Sequence, residues 1–543
     1  MINIFTSKKI SLYLLPFIGG LLYATGFPNS GEYYFFPGPI IGIALWLNSV
    51  SLNYPNDRKV SRLGKELLSL FCFSLGYCLL GYYWIPYTLN EFGSIPFPLD
   101  QLLGILFSLI IVPQYILFLI IHTLVKKLRF KTSYFVSSAT HRNIVIAFLL
   151  TLLEYYTPQQ FPAHMGHPWL FFAPYLGLAP IFGAPLFSFT GFWLSLSLVS
   201  FLRTKTLDFL ALAFTATVVI ANFAIPLTLW TSPDQIETNY IRLVQPNIGN
   251  FLKISSEDGD YKSLDKVLKL YTDLSTAPSE KPLDLIFWPE TAYPRLLNSR
   301  IIKKNKNMIP ALMRDTVYQT QAELLTGGYD RASSFNSLSF ETEYNTAFFI
   351  SADLGLTQTY HKMKLIPFGE SLPFGPFNAY LSQFIQNISY FASGKEYSLF
   401  KTRKGTLFSA AICYEILFSR FIADYLNGVK DQPDFLVNLT NDSWYGDTAE
   451  PFQHQFLAKW RAVEFQIPIV RTTNTGVSSI LLANGGESKR LAPFVEGKLD
   501  LELISPERKG TPFQRLGILN LFIIFLILFG GLRLFRKKKI RTI

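Results

Sequence analysis

Cysteine, histidine and charge are all scarce in this chain of 543 residues, which has three Cys, six His and only 16% Asp, Glu, Lys and Arg. So little charge beside 49% hydrophobic and 16% aromatic residues excludes an ordinary water-soluble enzyme and points to membrane insertion. A net charge of +11 raises the question of nucleic acid. Much of the excess, however, falls in short runs beside apolar segments, the pattern that fixes orientation in a bilayer, so nucleic-acid binding is set aside. Cys72 and Cys78 lie in an apolar N-terminal stretch, and Cys413 is the single thiol of the polar segment 231–515. A lone thiol there has no neighbour for a disulfide, even in an oxidising compartment. The chain also lacks internal repeats and low-complexity linkers.

A membrane span needs about 20 mostly apolar residues. Segments that fit lie near 10–27, 35–50, 67–85, 102–125, 144–160, 180–201 and 209–230, with one more at 516–534. The first does not read as a cleavable signal, because "GGLLYATGFP" offers no clear cleavage site and runs on into further apolar segments. Lys and Arg are absent from the loops 28–34, 86–101 and 161–179. They gather instead in the alternate positions: Lys8 and Lys9, "DRKVSRLGK" (57–65), "KKLRFK" (126–131), Arg203 with Lys205, and "RLFRKKKIR" (533–541). This alternation predicts a membrane domain of about seven transmembrane helices over 1–230, an outer-side domain over 231–515, and a final transmembrane helix with a basic tail over 516–543. Both termini are then cytoplasmic.

The segment 231–515 is long enough to bury a core of its own. Short apolar runs read as strands: "YIRLVQPNI" (240–248), "LDLIFWPE" (283–290), "AELLTGGYD" (322–330), "NTAFFIS" (345–351), "LFSAAICYE" (407–415), "DFLVNLTND" (434–442) and "PIVRTTNTG" (468–476). Helical patterns such as "KSLDKVLKLYTDLS" (262–275) and "PFQHQFLAKWRAVEF" (451–465) lie between them, which predicts a layered α/β domain. Glu290, Lys362 and Cys413 fall at strand ends, where such folds present reacting groups. A thiol with an ordinary pKa of about 8.5 is mostly protonated at neutral pH and gains from a base beside it. A carboxylate can take that proton, and an ammonium can stabilise the oxyanion formed when the thiolate attacks a carbonyl. Taken singly, each has a plain structural reading: a small core residue, a solvated loop charge, a turn.

Together, "WPETAYP" around Glu290, "YNT" (344–346), "KMKLIPFGESLP" (362–373), "CYE" (413–415), "NDSWYGDT" (441–448) with "QH" (453–454), and "RTTNTGVSS" (471–479) resemble the nitrilase, or carbon–nitrogen hydrolase, superfamily. The resemblance is closer still to the bacterial apolipoprotein N-acyltransferase family, and it extends over the flanking membrane segments. It implies a nitrilase-like αββα sandwich on the periplasmic side of the inner membrane. By similarity Glu290 is the general base, Lys362 the oxyanion stabiliser and Cys413 the nucleophile. The implied reaction takes an acyl chain from the sn-1 ester of a phospholipid onto Cys413 and passes it to the α-amine of diacylglyceryl-cysteine on an apolipoprotein. Glu370 is expected to orient Lys362, Tyr414 and Glu415 to shape the site, and Trp444, Phe374 and Phe377 to contact substrate. No cofactor and no metal are implied.

The aromatic stretch 374–391, with Phe374, Phe377, Tyr380 and Phe384, reads either as a lid touching the bilayer or as core packing. One departure is "NIGNFLKI" (247–254), where Gly249 and Ile254 stand in place of the family's Pro and Trp, which bears on substrate handling. Glu154, inside an apolar run, is a functional candidate by default, whereas His164 and His167 read as loop residues. Two other readings use the same chain differently: a membrane-tethered amidase or other acyltransferase with an open, watered site, and a non-enzymatic membrane binding protein or transporter.

Overall fold

Proline and glycine set where the apolar N-terminal region turns. The structure is a computed structural model describing residues 10–29, 31–50, 61–91, 93–127, 139–332, 342–353, 355–383 and 388–541; Lys8, Lys9, the basic stretches 57–60 and 128–131, and Phe384 lie outside them. Two compact units form, one of Met1–Pro86, Phe97–Leu227 and Arg515–Ile543, the other of Tyr87–Pro96 and Thr228–Gln514.

The first unit is helical, with long elements at Ser61–Gly81, Ala139–Tyr156, Ala179–Thr204 and Leu519–Arg541 and shorter ones at Leu15–Ala24, Gly38–Ser49, Leu99–Phe107, Pro113–Lys127 and Phe209–Ala224. Leu63–Gly81 and Ala179–Thr204 are long and apolar enough to cross a membrane; the other apolar helices, including Leu12–Ala24, Pro113–Val125 and Leu519–Gly531, are shorter. The single span expected over 102–125 is instead two helices, Leu99–Phe107 and Pro113–Lys127. Pro113 has no N–H to continue the first ladder and is suited to starting a second. Likewise the helix over Ala179–Thr204 breaks at Gly183, at φ 62 and ψ −168, two residues before Pro185. The helices Leu15–Ala24 and Ser61–Gly81 meet backbone to backbone, because a side chain at Gly20 would collide with the Phe73 carbonyl. Phe148 stacks on Phe525 at 4.1 Å, tying the last helix to Ala139–Tyr156. Glu154 is buried and accepts a hydrogen bond from the Met165 N–H at 2.7 Å, so it pins the loop after its helix. In that loop His164 and His167 stack at 4.8 Å and the His164 N–H donates to His167 Nδ1.

The second unit is built on two sheets. Strands β1 (Thr231–Gln245), β2 (Leu285–Phe287), β3 (Tyr293–Leu297), β4 (Glu323–Arg331), β5 (Glu343–Ile350) and β6 (Leu356–His361) belong to the first. Strands β7 (Phe400–Lys401), β8 (Leu407–Ile412), β9 (Phe435–Thr440), β10 (Ile469–Thr473), β11 (Ser478–Leu481) and β12 (Glu487–Leu491) make the second, and β13 (Gly497–Arg508) returns to pair with β1. The orders are β13-β1-β2-β4-β5-β6, with β3 also on β4, and β12-β11-β10-β9-β8-β7. Period-two alternation sorts the side chains. Ile286 and Trp288 turn outward into a core with Val267, Tyr271, Met313 and Val317 of the helices Tyr261–Thr276 and Ala311–Thr320. Phe287 and Phe349 turn inward onto Phe408 at 6.5 and 5.2 Å, joining the two sheets face to face. Helix Glu450–Phe465 covers β10 and β11 on the far side, giving helix, sheet, sheet, helix.

This topology delivers the strand ends to one edge. β2 and β4 are parallel, and β4, β5 and β6 alternate in direction, so β2 and β6 point the same way. Glu290 follows β2 and Lys362 follows β6 directly. The turn after β2 lies on Gly327 of β4, where an added Cβ would stand 2.5 Å from both the Pro289 O and the Thr291 N. Gly327→Ala is therefore expected to displace Glu290 and cost about 100-fold in turnover, as misplacement by about 1 Å does, with the fold retained. Turnover of the purified variant beside its circular dichroism checks this; wild-type turnover would contradict it.

Candidate active site

A buried ammonium lies between two carboxylates at the ends of β2 and β6. Lys362 is fully buried, and its Nζ donates to Glu370 Oε1 at 2.7 Å and to Glu290 Oε1 at 3.1 Å. Burial opposes the charge on Lys362, but the two carboxylates outweigh it and hold the pKa above its ordinary value. Asn345 on β5 bridges the pair, its Nδ2 donating to Glu290 at 2.8 Å and to Glu370 at 3.3 Å. The Asn441 N–H donates to the other Glu290 oxygen at 3.0 Å, and the Ile366 N–H to the other Glu370 oxygen at 2.9 Å. Glu290 and Glu370 are each 7% exposed, so both carboxylates are held in place by the protein rather than by water.

Cys413 is the first residue after β8 and opens a short 3-10 turn, Cys413–Leu417. Its φ of 51 lies in the left-handed region, which a residue with a Cβ adopts only at a cost. The thiol is 3% exposed. Burial raises its pKa well above the ordinary range and the Glu290 charge adds to this, while Lys362 acts in the opposite direction. Thus burial and Glu290 favour the thiol form of the sulfur and Lys362 the thiolate.

Glu415 does more than shape the neighbourhood of Cys413. Its Oε2 accepts from the Ile412 N–H at 2.8 Å, and its Oε1 accepts from the N–H groups of Met363 and Lys364 at 2.7 and 2.9 Å. The Tyr360 hydroxyl adds a bond at 2.9 Å. One carboxyl therefore ties the lysine loop to the cysteine turn, although burial pushes its pKa up to about 7. Tyr414 is buried against Phe418, with ring centres 4.7 Å apart. Trp444 sits half-buried in the turn Ser443–Tyr445, three residues after Asn441. Phe374 and Phe377 are 47% and 70% exposed, with Tyr380 at 61%. Ile254 lies on the helix Asn250–Glu257, 42% exposed. Sequence reasoning assigned no role to Asn345 or Asn441; their signal was an amide inside or just after an otherwise apolar strand.

The carbon–nitrogen hydrolase family model matches residues 241–496, and that of the apolipoprotein N-acyltransferase N-terminal domain matches 19–197. The apolipoprotein N-acyltransferase of Bdellovibrio bacteriovorus is 33% identical over 427 residues, covering 75% of this chain and 74% of that one. The chain belongs to the apolipoprotein N-acyltransferase family. Its similarity to the member from Haemophilus influenzae runs end to end, at 29% identity over 99% of this chain and 98% of the relative. Among solved structures, an amidase from Nesterenkonia sp. is 17% identical, covering 49% of this chain and 90% of its own, with a TM-score of 0.33.

A raised thiol pKa has a kinetic signature. Alkylation of Cys413 by iodoacetamide in the resting protein is expected to keep accelerating above pH 9, since the thiolate fraction still grows there. Lys362→Met, which removes the charge that favours the thiolate, should move the curve further upward. A rate already at its plateau by pH 7 would contradict this.

Proposed function

We propose that this chain transfers an acyl chain from the sn-1 ester of a phospholipid to the α-amine of diacylglyceryl-cysteine on apolipoproteins, by way of a thioester on Cys413. The observation that carries this reading is the Lys362 ammonium, clamped by Glu290 and Glu370 with the Cys413 thiol in the same field. Glu290 takes the thiol proton as the sulfur attacks the ester carbonyl, and the C–O bond then breaks. The leaving lysophospholipid oxygen takes that proton from Glu290. In the second half the free amine attacks the thioester, Glu290 receives its proton, and the sulfur leaves as a thiol again.

Lys362 supplies the electrostatic part. An ammonium has three N–H donors, and Glu290 and Glu370 take two of them. The third serves the oxygen that becomes negative in each tetrahedral intermediate. The acceptor amine has an ordinary pKa of about 7.7–8.0, so part of it is neutral without help. Ester, thioester and amide follow one another without a nucleotide, as a compartment lacking ATP requires. The near-complete burial of Glu290, Lys362 and Cys413 keeps bulk water from a thioester, as transfer to an amine in preference to hydrolysis requires.

The location follows from the same reading. The chain is a multi-pass protein of the inner membrane, with the second unit periplasmic and both termini cytoplasmic. The apolar helices and the lysine-free loop 86–101, which contributes Tyr87–Pro96 to the second unit, support that orientation. The exposed aromatics Phe374, Phe377 and Tyr380 form a surface for lipid chains.

The test uses purified full-length protein in phospholipid vesicles carrying an sn-1 acyl label, with a diacylglyceryl lipopeptide as acceptor. Label is expected on the lipopeptide amine with wild type and to be absent with Cys413→Ala. Release of labelled fatty acid whether or not lipopeptide is present, or continued transfer by Cys413→Ser, would overturn the reading.

A further inference from the structure

The main-chain carbonyl of Cys413 is gripped by two side chains from different elements. His454 Nε2, on the helix Glu450–Phe465, lies 3.2 Å from it, and Asn438 Nδ2, on β9, lies 3.3 Å away. The Cys413 carbonyl and the Asp442 carboxylate both only accept, so His454 bonds to the two at once when each ring nitrogen carries a proton, against burial and the Arg471 charge, which lower its pKa. The same Asn438 nitrogen also reaches the Ala411 carbonyl at 3.1 Å. Behind both side chains stands Arg471 of β10. Its Nη1 donates to Asn438 Oδ1 at 2.6 Å and its Nη2 to Asp442 Oδ2 at 2.8 Å. Asp442 Oδ1 in turn lies 3.2 Å from His454 Nδ1. One guanidinium therefore heads two arms that reconverge on a single oxygen.

Every member is buried: Asn438, Asp442 and Arg471 completely, His454 to 3% exposure. Burial works against the charge on Asp442, yet the Arg471 and His454 beside it hold its pKa below the usual carboxylate range. Asp442, Glu450 and His454 bring ligand-type atoms within 4.8 Å of one another, but Arg471 already supplies the positive charge that a cation would bring.

What this cradle holds is unusual backbone. Cys413, at φ 51, has the conformation a non-glycine residue adopts only under constraint. The Cys413–Tyr414 peptide is trans, so its planar unit sends the Tyr414 N–H away from the carbonyl that His454 and Asn438 hold. Fixing the carbonyl thus fixes the aim of that N–H, the backbone donor next to a nucleophile on a strained turn.

We propose that His454 and Asn438, braced by Arg471 and Asp442, are positioning residues for acylation, which lock the Cys413–Tyr414 peptide so that sulfur and backbone N–H face the developing oxyanion together. This rests on Cys413 being the nucleophile. None of the four residues touches substrate; they act through the peptide plane. The effect belongs to the transition state, so it appears in the rate of the chemical step and not in lipid binding.

The test is single-turnover acylation of full-length protein with phosphatidylethanolamine labelled in its sn-1 chain, read as label on Cys413. For His454→Leu the acylation rate at saturating lipid is expected to fall about tenfold or more, with half-saturation unchanged within about twofold. His454→Gln, whose amide still offers a donor, is expected to recover most of the rate. Asn438→Ser draws the second donor back toward the backbone, out of reach of the carbonyl, and should repeat the loss; it decides the matter alone if His454→Leu does not fold. A purely structural role would lower thermal stability without separating Leu from Gln in rate per folded molecule. The proposal is overturned by a loss smaller than tenfold in both His454→Leu and Asn438→Ser, or by His454→Gln as slow as His454→Leu. If wild type acquires no label, the nucleophile assignment fails instead, and this inference with it.

Discussion

One ammonium held between two carboxylates, out of reach of water, is the constraint on which the rest depends. Removing one partner from a buried charge cluster typically costs about 3–5 kcal/mol, because the remaining charge is left uncompensated. Lys362 with Glu290 and Glu370 is such a cluster, and its two carboxylates carry one negative charge more than its ammonium. That excess explains the surrounding donors: Asn345 between the carboxylates, and the Asn441 and Ile366 N–H groups on their outer oxygens. A charge placed this way does not reorganise when an oxyanion forms nearby, which is what the role proposed for Lys362 requires.

The second constraint is that the thiol must stay in register with this cluster although it comes from the other sheet. Glu415 ties the Met363 and Lys364 backbone to that of Ile412, so the segment carrying Lys362 cannot move apart from the turn carrying Cys413. From the opposite partners, His454 and Asn438 hold the Cys413 carbonyl. Cys413 is therefore fixed through its own peptide and through the Glu415 carboxyl two residues on, which is what a left-handed, sterically costly residue needs to persist.

How far this could be read from sequence depended on the kind of signal. Glu290, Lys362 and Cys413 could be picked out because each lies at the end of an apolar run or in a motif, and strand ends are where layered folds present chemistry. β9, buried throughout, and β8, buried in all but its first residue, were legible as apolar runs. β13 was passed over although "GKLDLELISPER" alternates charge with apolar residues, the pattern of a half-buried strand, because it holds no continuous apolar run like those of β8 and β9. Asn345, Asn438 and Arg471 appeared only as letters of quoted stretches, with no partner assigned. Each is a polar side chain inside a strand, and its partner is set by tertiary packing. His454 was visible only as the second letter of "QH", since helical periodicity does not say which carbonyl a buried imidazole meets. In the first unit Pro113 divided a hydrophobic stretch that hydropathy alone reads as continuous.

The most direct test of the central claim is the intact mass of wild type, Lys362→Met and Glu290→Gln after brief incubation with phospholipid vesicles. The account predicts one added acyl chain on wild type, located at Cys413 and removed by hydroxylamine, with almost none on either variant. An equal acyl adduct on Lys362→Met at the same early time would show that the buried ammonium is not what drives the transfer.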